Sequence, residues 1–518
     1  MLNKYFFGAG LLLALQACNQ APQHPTVTVH KEQVVCNQYI GNGVEWDAYP
    51  HADSKSAEWG DLMNNPAKWD TLYARLDRMQ PQFIRMMDQA NWRYYMGLNR
   101  HKKAVLNFNT PEIKTLFKLL DYCQSRNITV VMGEWGTPHH MHDIENKKDK
   151  LKAADDPRWS KMIAQYLDFL INKKGYSCIK YYNLVNEPNG DWASTLGDFD
   201  LWKHGVKQLH KELKAKGLDD KIQISGPGTV PQYSYPKYKS QYEGKDWVKM
   251  SVDSLNDELG AYEIHAYMPT MIVREGKAAK DVFWKEAIAQ THKTGKPFLI
   301  GELGLKDNFG PFHEKNIARA KKDAFTSPED SQMAIYDYQY GVDMADAVVQ
   351  FMNAGCAGTI AWALDDAMHT MGDKGDKTKL KRWGFWNILG TEIENSPKDE
   401  QIRPWFYPWS WACKYFPAHT EILKVDVPAI KGLRITAGTK EDKYSVMAVN
   451  NSEEIQTVTV QIDGLKSSPQ LKKLTYTREQ ATAEKAKIST EQVSVSAQGG
   501  LSVTLPAKSV VVMTNMNK

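Results

Sequence analysis

Two glutamates stand where apolar runs stop. Tyr181-Tyr-Asn-Leu-Val-Asn-Glu-Pro-Asn189 closes an apolar stretch that begins at Ile179, and it ends on Asn186-Glu187-Pro188. Pro188 has no amide N–H and cannot extend a strand ladder, so Glu187 is expected at a strand's C-terminal tip. The pattern recurs in Pro297-Phe-Leu-Ile-Gly-Glu302, with glycines at 301 and 304. Two strand-end carboxylates on one rim can act as a proton donor and a nucleophile at an acetal carbon, the chemistry that splits a glycosidic bond. The simpler reading is that each glutamate ends a strand in solvent. That reading explains one such residue more easily than two.

These tips need a scaffold, and the chain alternates strand and helix patterns to supply one. Strands are expected near Gln38 to Val44, Gln82 to Met87, Ile128 to Met132, Ile179 to Val185, Ile222 to Ser225, Ala261 to His265, at Phe298, and over Gly358 to Trp362. Between them lie helix patterns. Pro66 to Met79 places Trp69, Leu72, Tyr73 and Leu76 on one face, with Pro66 at the first helical position. Thr110-Pro111 opens a helix to about Arg126, and others cover Pro157 to Lys173, Phe199 to Lys216, Trp247 to Glu258, Asp281 to Lys293, Gln332 to Asn353 and Arg403 to Tyr415. Eight such units predict an α/β fold, a (β/α)8 TIM barrel over residues 35–418. An open doubly wound sheet would more often show a Gly-rich fingerprint after its first strand, and none is seen. Beyond residue 418 the texture changes to short alternating runs, such as Lys443 to Val449 and Ser509 to Met513, which predict a C-terminal β-sandwich over 419–518. Residues 19–34 read as a polar tether and a strand (Thr26-Val-Thr-Val) that joins this sandwich.

The N-terminus reads as an export signal. Lys4 precedes an apolar segment from Tyr5 to Leu15, too short to span a bilayer as a mature helix. Leu15-Gln-Ala-Cys18 resembles a bacterial lipobox, which implies cleavage after residue 17 and lipidation of Cys18. The expectation is an exported lipoprotein anchored to a bacterial membrane; an ordinary secretory signal is the alternative. Five further cysteines are scattered without C-x-x-C spacing, which suits buried thiols better than a disulfide framework or a zinc site. A formal net charge of +4 over 518 residues, with no long basic run, argues against nucleic acid as a partner.

A barrel's strand ends face one mouth, so its lining can be named. It comprises Glu45 and Trp46, Arg85, Glu134 and Trp135, Asn186 and Glu187, His265 and Tyr267, Glu302, and Trp362. Amide, imidazole, phenol, guanidinium and indole around two carboxylates suit a sugar pocket. No strand-end set suggests a catalytic metal, and no cofactor is expected. His139-His-Met-His-Asp143 has metal-ligand composition but no element to fix its spacing, and reads as a loop over the substrate. Arg93, Arg100, Lys102, Lys103 and Arg382 lie in predicted loops, where they would favour an acidic glycan or simply be solvated.

Asn186-Glu187-Pro188 on strand four with Glu302 on strand seven resembles clan A of the retaining glycoside hydrolases, a resemblance that spans the barrel. Asn-Glu-Pro-Asn followed by His265-Ala-Tyr267 looks most like the β-xylosidase and α-L-iduronidase family, with the cellulase-type family close behind. A sandwich shared by both chain ends is similar to the glucosylceramidase and glucuronoxylanase family. Gly-Glu-Trp at strand three departs from the cellulase pattern, which has His there. The resemblance implies Glu187 as general acid/base, Glu302 as nucleophile, Asn186 bonded to the sugar 2-hydroxyl, Tyr267 orienting Glu302, and Trp362 as the floor of the −1 subsite. Arg85 is a candidate for keeping Glu302 ionised. Trp46, Glu134, Trp135 and His265 are expected to bind substrate as well. The rivals are a surface glycan-binding lipoprotein on the same scaffold, without hydrolytic activity, and a Schiff-base aldolase. The aldolase needs an inward Lys, and Lys180 lies at the wrong end of strand four.

Overall fold

The computed structural model describes residues 24–47, 49, 62–138, 151–233, 242–280, 282–369, 379–465, 469–480, 488–496 and 498–516. Cys18 and the 139–143 segment lie outside them. Among the described residues, eight parallel strands close into a barrel in chain order: Gly41–Glu45, Phe83–Asp88, Thr129–Glu134, Ile179–Asn183, Gln223–Thr229, Leu259–Met268, Phe298–Leu305 and Gly358–Ala361. Their apolar character follows from burial on both sides, by side chains inside and helices outside.

The helices start where caps require. Asn65 accepts from the Lys68 amide and Pro66 opens the helix Pro66–Met79; Thr110 accepts from the Ile113 amide ahead of Pro111–Ser125. Trp69, Leu72 and Leu76 are buried on the inner face of the first. The helix expected from residue 332 is interrupted. A 3-10 turn over Met333–Tyr336 precedes Tyr338–Ala354, because Asp337 is extended (φ −97°, ψ 137°). A helix at Gly310–Ala320 has no counterpart in the sequence reading; only Ala320 of it is buried, so its apolar periodicity is weak.

Strand four is shorter than expected. It stops at Asn183, and Leu184 and Val185 are buried outside the ladder. Glu187 therefore stands on the exit loop, past the strand tip. Strand five, conversely, runs through Gly226-Pro-Gly228, expected as a loop, with its register shifting between Pro227 and Thr229.

The second unit is a nine-stranded, mostly antiparallel sheet among the described residues, with its own core of Val27, Val29, Ile435, Val446, Val458 and Val511. The N-terminal strand Thr26–Cys36 lies within it, antiparallel to Glu421–Asp426 and parallel to Gln456–Ile462. The helix Tyr338–Ala354 is buried nearly all round because it is wedged between barrel and sheet. Asn353 donates to the Ile435 carbonyl (2.8 Å), and the rings of Tyr338 and Tyr476 stack at 4.6 Å. Cys36, Cys123, Cys178, Cys356 and Cys413 are free and buried. No described helix is long and apolar enough to cross a membrane.

Candidate active site

The centre of the barrel mouth is organised by one cation. Arg85, third residue of strand two, is fully buried and pairs in register with Glu45, the last residue of strand one. Its Nη1 donates to both oxygens of Glu45 (3.1 and 2.9 Å) and to Oε1 of Glu302 (2.7 Å), while Nη2 donates to Oδ1 of Asn186 (2.6 Å). One guanidinium thus ties strands one, two and seven to the loop after strand four. Its planar fork suits such convergent acceptors, where a lysine ammonium would not.

Strand six presents Glu263, His265 and Tyr267 at alternate positions, so all three share the inward face. An irregularity between Ile300 and Glu302 sets Glu302 opposite His265. The Tyr267 hydroxyl donates to Oε2 of Glu302 (2.5 Å). Nδ1 of His265 lies 2.9 Å from Oε1 of Glu187 and 3.5 Å from Oε2 of Glu302.

Glu187 is held in a left-handed conformation, φ 45°, that a non-glycine residue keeps only when its surroundings enforce it. Here they do. The Gly190 amide closes a turn onto the Glu187 carbonyl (3.0 Å), and Asn189 Nδ2 bonds the carbonyls of Val230 and Tyr233 on the next exit loop (2.9 and 3.0 Å). Thr195 donates its hydroxyl to the Pro188 carbonyl. One oxygen each of Glu187 and Glu302, with a ring nitrogen of His265, lie within 4.8 Å of one another. Retaining glycosidases hold their carboxyls about 5–5.5 Å apart and inverting ones about 6.5–9.5 Å, so this spacing falls on the retaining side.

The electrostatics separate the carboxyls. Burial alone would push Glu302 up, but the His265 and Arg85 charges and the hydrogen bonds from Tyr267 and Arg85 outweigh it and hold Glu302 below the ordinary glutamate range. Glu45, sharing the same guanidinium, is pushed well above that range, first by burial and then by Asp47 and Glu302 against the pull of Arg85. Burial and the adjoining Glu302 also raise the Tyr267 phenol, which keeps it a donor.

Glu187, His265 and Glu302 are also the one described trio with the composition of a metal site. Both oxygens of Glu302 already accept hydrogen bonds, one of them from a cation 2.7 Å away. A second positive charge there would meet Arg85, which already occupies one oxygen of Glu302.

Of the other residues expected at the mouth, Trp362 and Trp135 meet edge to face at 5.8 Å, and the Trp362–Ala363 peptide is cis. His369, not singled out in the sequence, stacks on Trp362 at 4.8 Å, with Nε2 3.6 Å from Asp47 Oδ2. Burial drives its imidazole down to about 3, so it is neutral. Trp383 meets the Tyr267 ring edge-on at 5.6 Å.

Two expected binding residues stand apart. Trp46 is fully buried and turned to the helix layer, its ring edge-on to Tyr122 at 5.7 Å. Strand alternation is the reason: with Glu45 facing in, Trp46 faces out. Glu134 is also fully buried; it accepts from the Ala90 amide (3.0 Å) and the Tyr94 hydroxyl (2.6 Å), holding the start of the short helix Ala90–Arg93. Glu134→Ala is therefore expected to cost stability, about 1–3 kcal/mol for the stranded donors, with KM unchanged. Urea unfolding beside substrate titration checks both. The loop cations need a correction too. Arg93 pairs with Asp88 in the interior, and fully buried Arg382 bonds Glu394 (2.6 Å) and Asp399 (2.7 Å), so neither is free to meet an acidic glycan. Arg100, Lys102 and Lys103 remain exposed, and Lys180 is exposed on strand four.

Residues 149–367 match the family model for cellulases, glycosyl hydrolase family 5. Several solved structures share the fold over nearly the whole chain. A family 30 subfamily 8 xylanase from Clostridium acetobutylicum is 13% identical with a TM-score of 0.60, covering 94% of this chain and 99% of its own. An α-L-arabinofuranosidase from Thermotoga maritima gives 13%, 0.59, 94% and 99%, and a family 39 enzyme from Xanthomonas axonopodis pv. citri gives 11%, 0.56, 97% and 99%. At these identities the structural likeness is one of fold. No curated protein sequence matches. The matched segment and the barrel together support a glycoside hydrolase, built on the barrel fold shared with family 30 and family 39 enzymes.

Proposed function

We propose that this chain hydrolyses a poly- or oligosaccharide by double displacement, with Glu302 as nucleophile and Glu187 as acid/base. The observation that carries the reading is the pair of carboxyls within 4.8 Å, one of them held ionised by Arg85 and Tyr267. In the first step a Glu302 oxygen bonds the anomeric carbon as the glycosidic C–O bond breaks, and Glu187 gives its proton to the departing oxygen. In the second, Glu187 takes a proton from water, the hydroxide bonds the anomeric carbon, and Glu302 leaves as carboxylate. Asn186, with Oδ1 held by Arg85, would turn its Nδ2 donor to the 2-hydroxyl, and Trp362 would floor the −1 sugar.

When Glu302 becomes an ester, Arg85 keeps its hydrogen bonds to Glu45, and losing the Glu302 charge removes one of the influences that push the Glu45 carboxyl up. A purely glycan-binding role would not need a nucleophile tuned this way. Export and lipidation at Cys18 complete the proposal and would place the enzyme on a bacterial membrane.

The test is a panel of 2-deoxy-2-fluoro glycosides, followed by mass spectrometry of the digested protein. An adduct on the Glu302 peptide is expected, and the sugar that forms it names the −1 specificity. Steady turnover of the panel with an adduct elsewhere, or none, would refute the assignment.

A pH profile gives a second check. Glu302 must be ionised, so kcat/KM should fall on the acid side only below the ordinary glutamate range. Tyr267→Phe removes one hydrogen bond that favours the charged form, so the acid limb should move up in pH while kcat drops by roughly 10–100-fold.

A further inference from the structure

We infer that Trp192 is the platform on which the leaving-group sugar stacks, an inference that rests on Glu187 being the acid. The acid must stand on the leaving-group side of the scissile bond, because it protonates the bridging oxygen. The segment that continues from Glu187 therefore borders the sugar that departs. Two successive turns, closed by Gly190 N–H to Glu187 O (3.0 Å) and Ala193 N–H to Gly190 O (3.2 Å), keep this segment close to Glu187. A turn brings its ends within about 7 Å.

Trp46, Trp159, Trp202, Trp247, Trp284, Trp386, Trp405 and Trp409 are fully buried, whereas Trp192 is 41% exposed; Trp92 is exposed too, at 45%, but Trp192 is the one that follows Glu187 in the chain. Its ring is nevertheless fixed on one side. It lies over the bare Cα of Gly190, where any Cβ would overlap the indole. It also packs on Tyr233 at 4.7 Å, and the Tyr233 hydroxyl donates to Asp191 (2.8 Å). The Tyr233 carbonyl is in turn bonded by Asn189 (3.0 Å), so loops four and five brace the ring together. A braced indole that still leaves 41% of its surface to water is suited to the C–H face of a sugar ring. Ordering it on binding costs little entropy.

Two variants test this, Trp192→Ala and Gly190→Ala; the second keeps the indole but denies it its seat. The probes are cellohexaose and xylohexaose, compared with the matching glycosyl fluorides, whose leaving group carries no sugar. Both variants should lower the ratio of kcat/KM for hexasaccharide to that for fluoride by about tenfold, mainly through KM. An unchanged ratio in both would overturn the platform. Glu302→Gln run on the fluorides separates the two ideas. Loss of fluoride release upholds the catalytic assignment whatever the ratio does, and persistence defeats that assignment instead.

Discussion

Glu302→Gln is expected to lower kcat on any glycan substrate by on the order of ten-thousandfold or more, with the fold intact. The magnitude follows from the role: without a carboxylate no glycosyl ester forms, and what remains is binding and orientation. Retention of fold is less obvious, because removing one partner of a buried ion pair can cost about 3–5 kcal/mol. Here the cation is shared. Arg85 keeps two contacts to Glu45 and one to Asn186, and the amide oxygen that replaces the carboxylate can still accept from Nη1. Thermal unfolding should therefore change little while reducing-sugar release disappears. Residual turnover within tenfold of wild type would remove Glu302 from the reaction.

Glu187→Ala should produce a loss that depends on the leaving group. A sugar alcohol leaves poorly without a proton, so hydrolysis of glycans should fall by about a hundredfold to ten-thousandfold. A dinitrophenolate leaves without help, so ester formation on Glu302 should survive. Attack by water then lacks its base, the intermediate accumulates, and a burst precedes slow turnover. Azide needs no base and should restore the rate, giving a glycosyl azide of retained configuration. Stopped-flow absorbance and product NMR read both. An equal loss on both substrate types, without rescue, would show that Glu187 handles no proton. Stability should change little, because Glu187 makes its side-chain contact to His265 alone among the described hydrogen bonds, and the strain of its φ 45° backbone is the same for alanine, which keeps the Cβ.

The barrel was legible because its elements announce themselves locally. Pro66 and Met79 bound the first helix as expected from the proline and the apolar face, and strands two, three, six and seven differ from their expected bounds by a few residues at most. The misses have particular causes. Gly310–Ala320 lies on the surface and buries almost nothing, so it left no periodic trace. Strand four lost Leu184 and Val185 because an apolar run signals burial, and burial does not require a ladder. At the mouth, Glu45 faces inward to Arg85 and Trp46 outward to Tyr122, since a one-residue step decides which side of a strand faces the interior, and apolar spacing around a short strand does not fix that step.

By itself the chain of residues determined that strands and helices would alternate around a barrel, that a second β unit would follow, and that two glutamates would end up on one rim. Those are consequences of apolar spacing, proline and the direction of parallel strands. Only the tertiary structure decided that Arg85 would be divided between Glu45, Glu302 and Asn186, that Glu134 would serve a helix start, and that Trp192 would rest on Gly190 while staying exposed. Such pairings join positions tens to hundreds of residues apart. Strand register, a bulge and the path of the exit loops set their distances, and no local pattern carries that information.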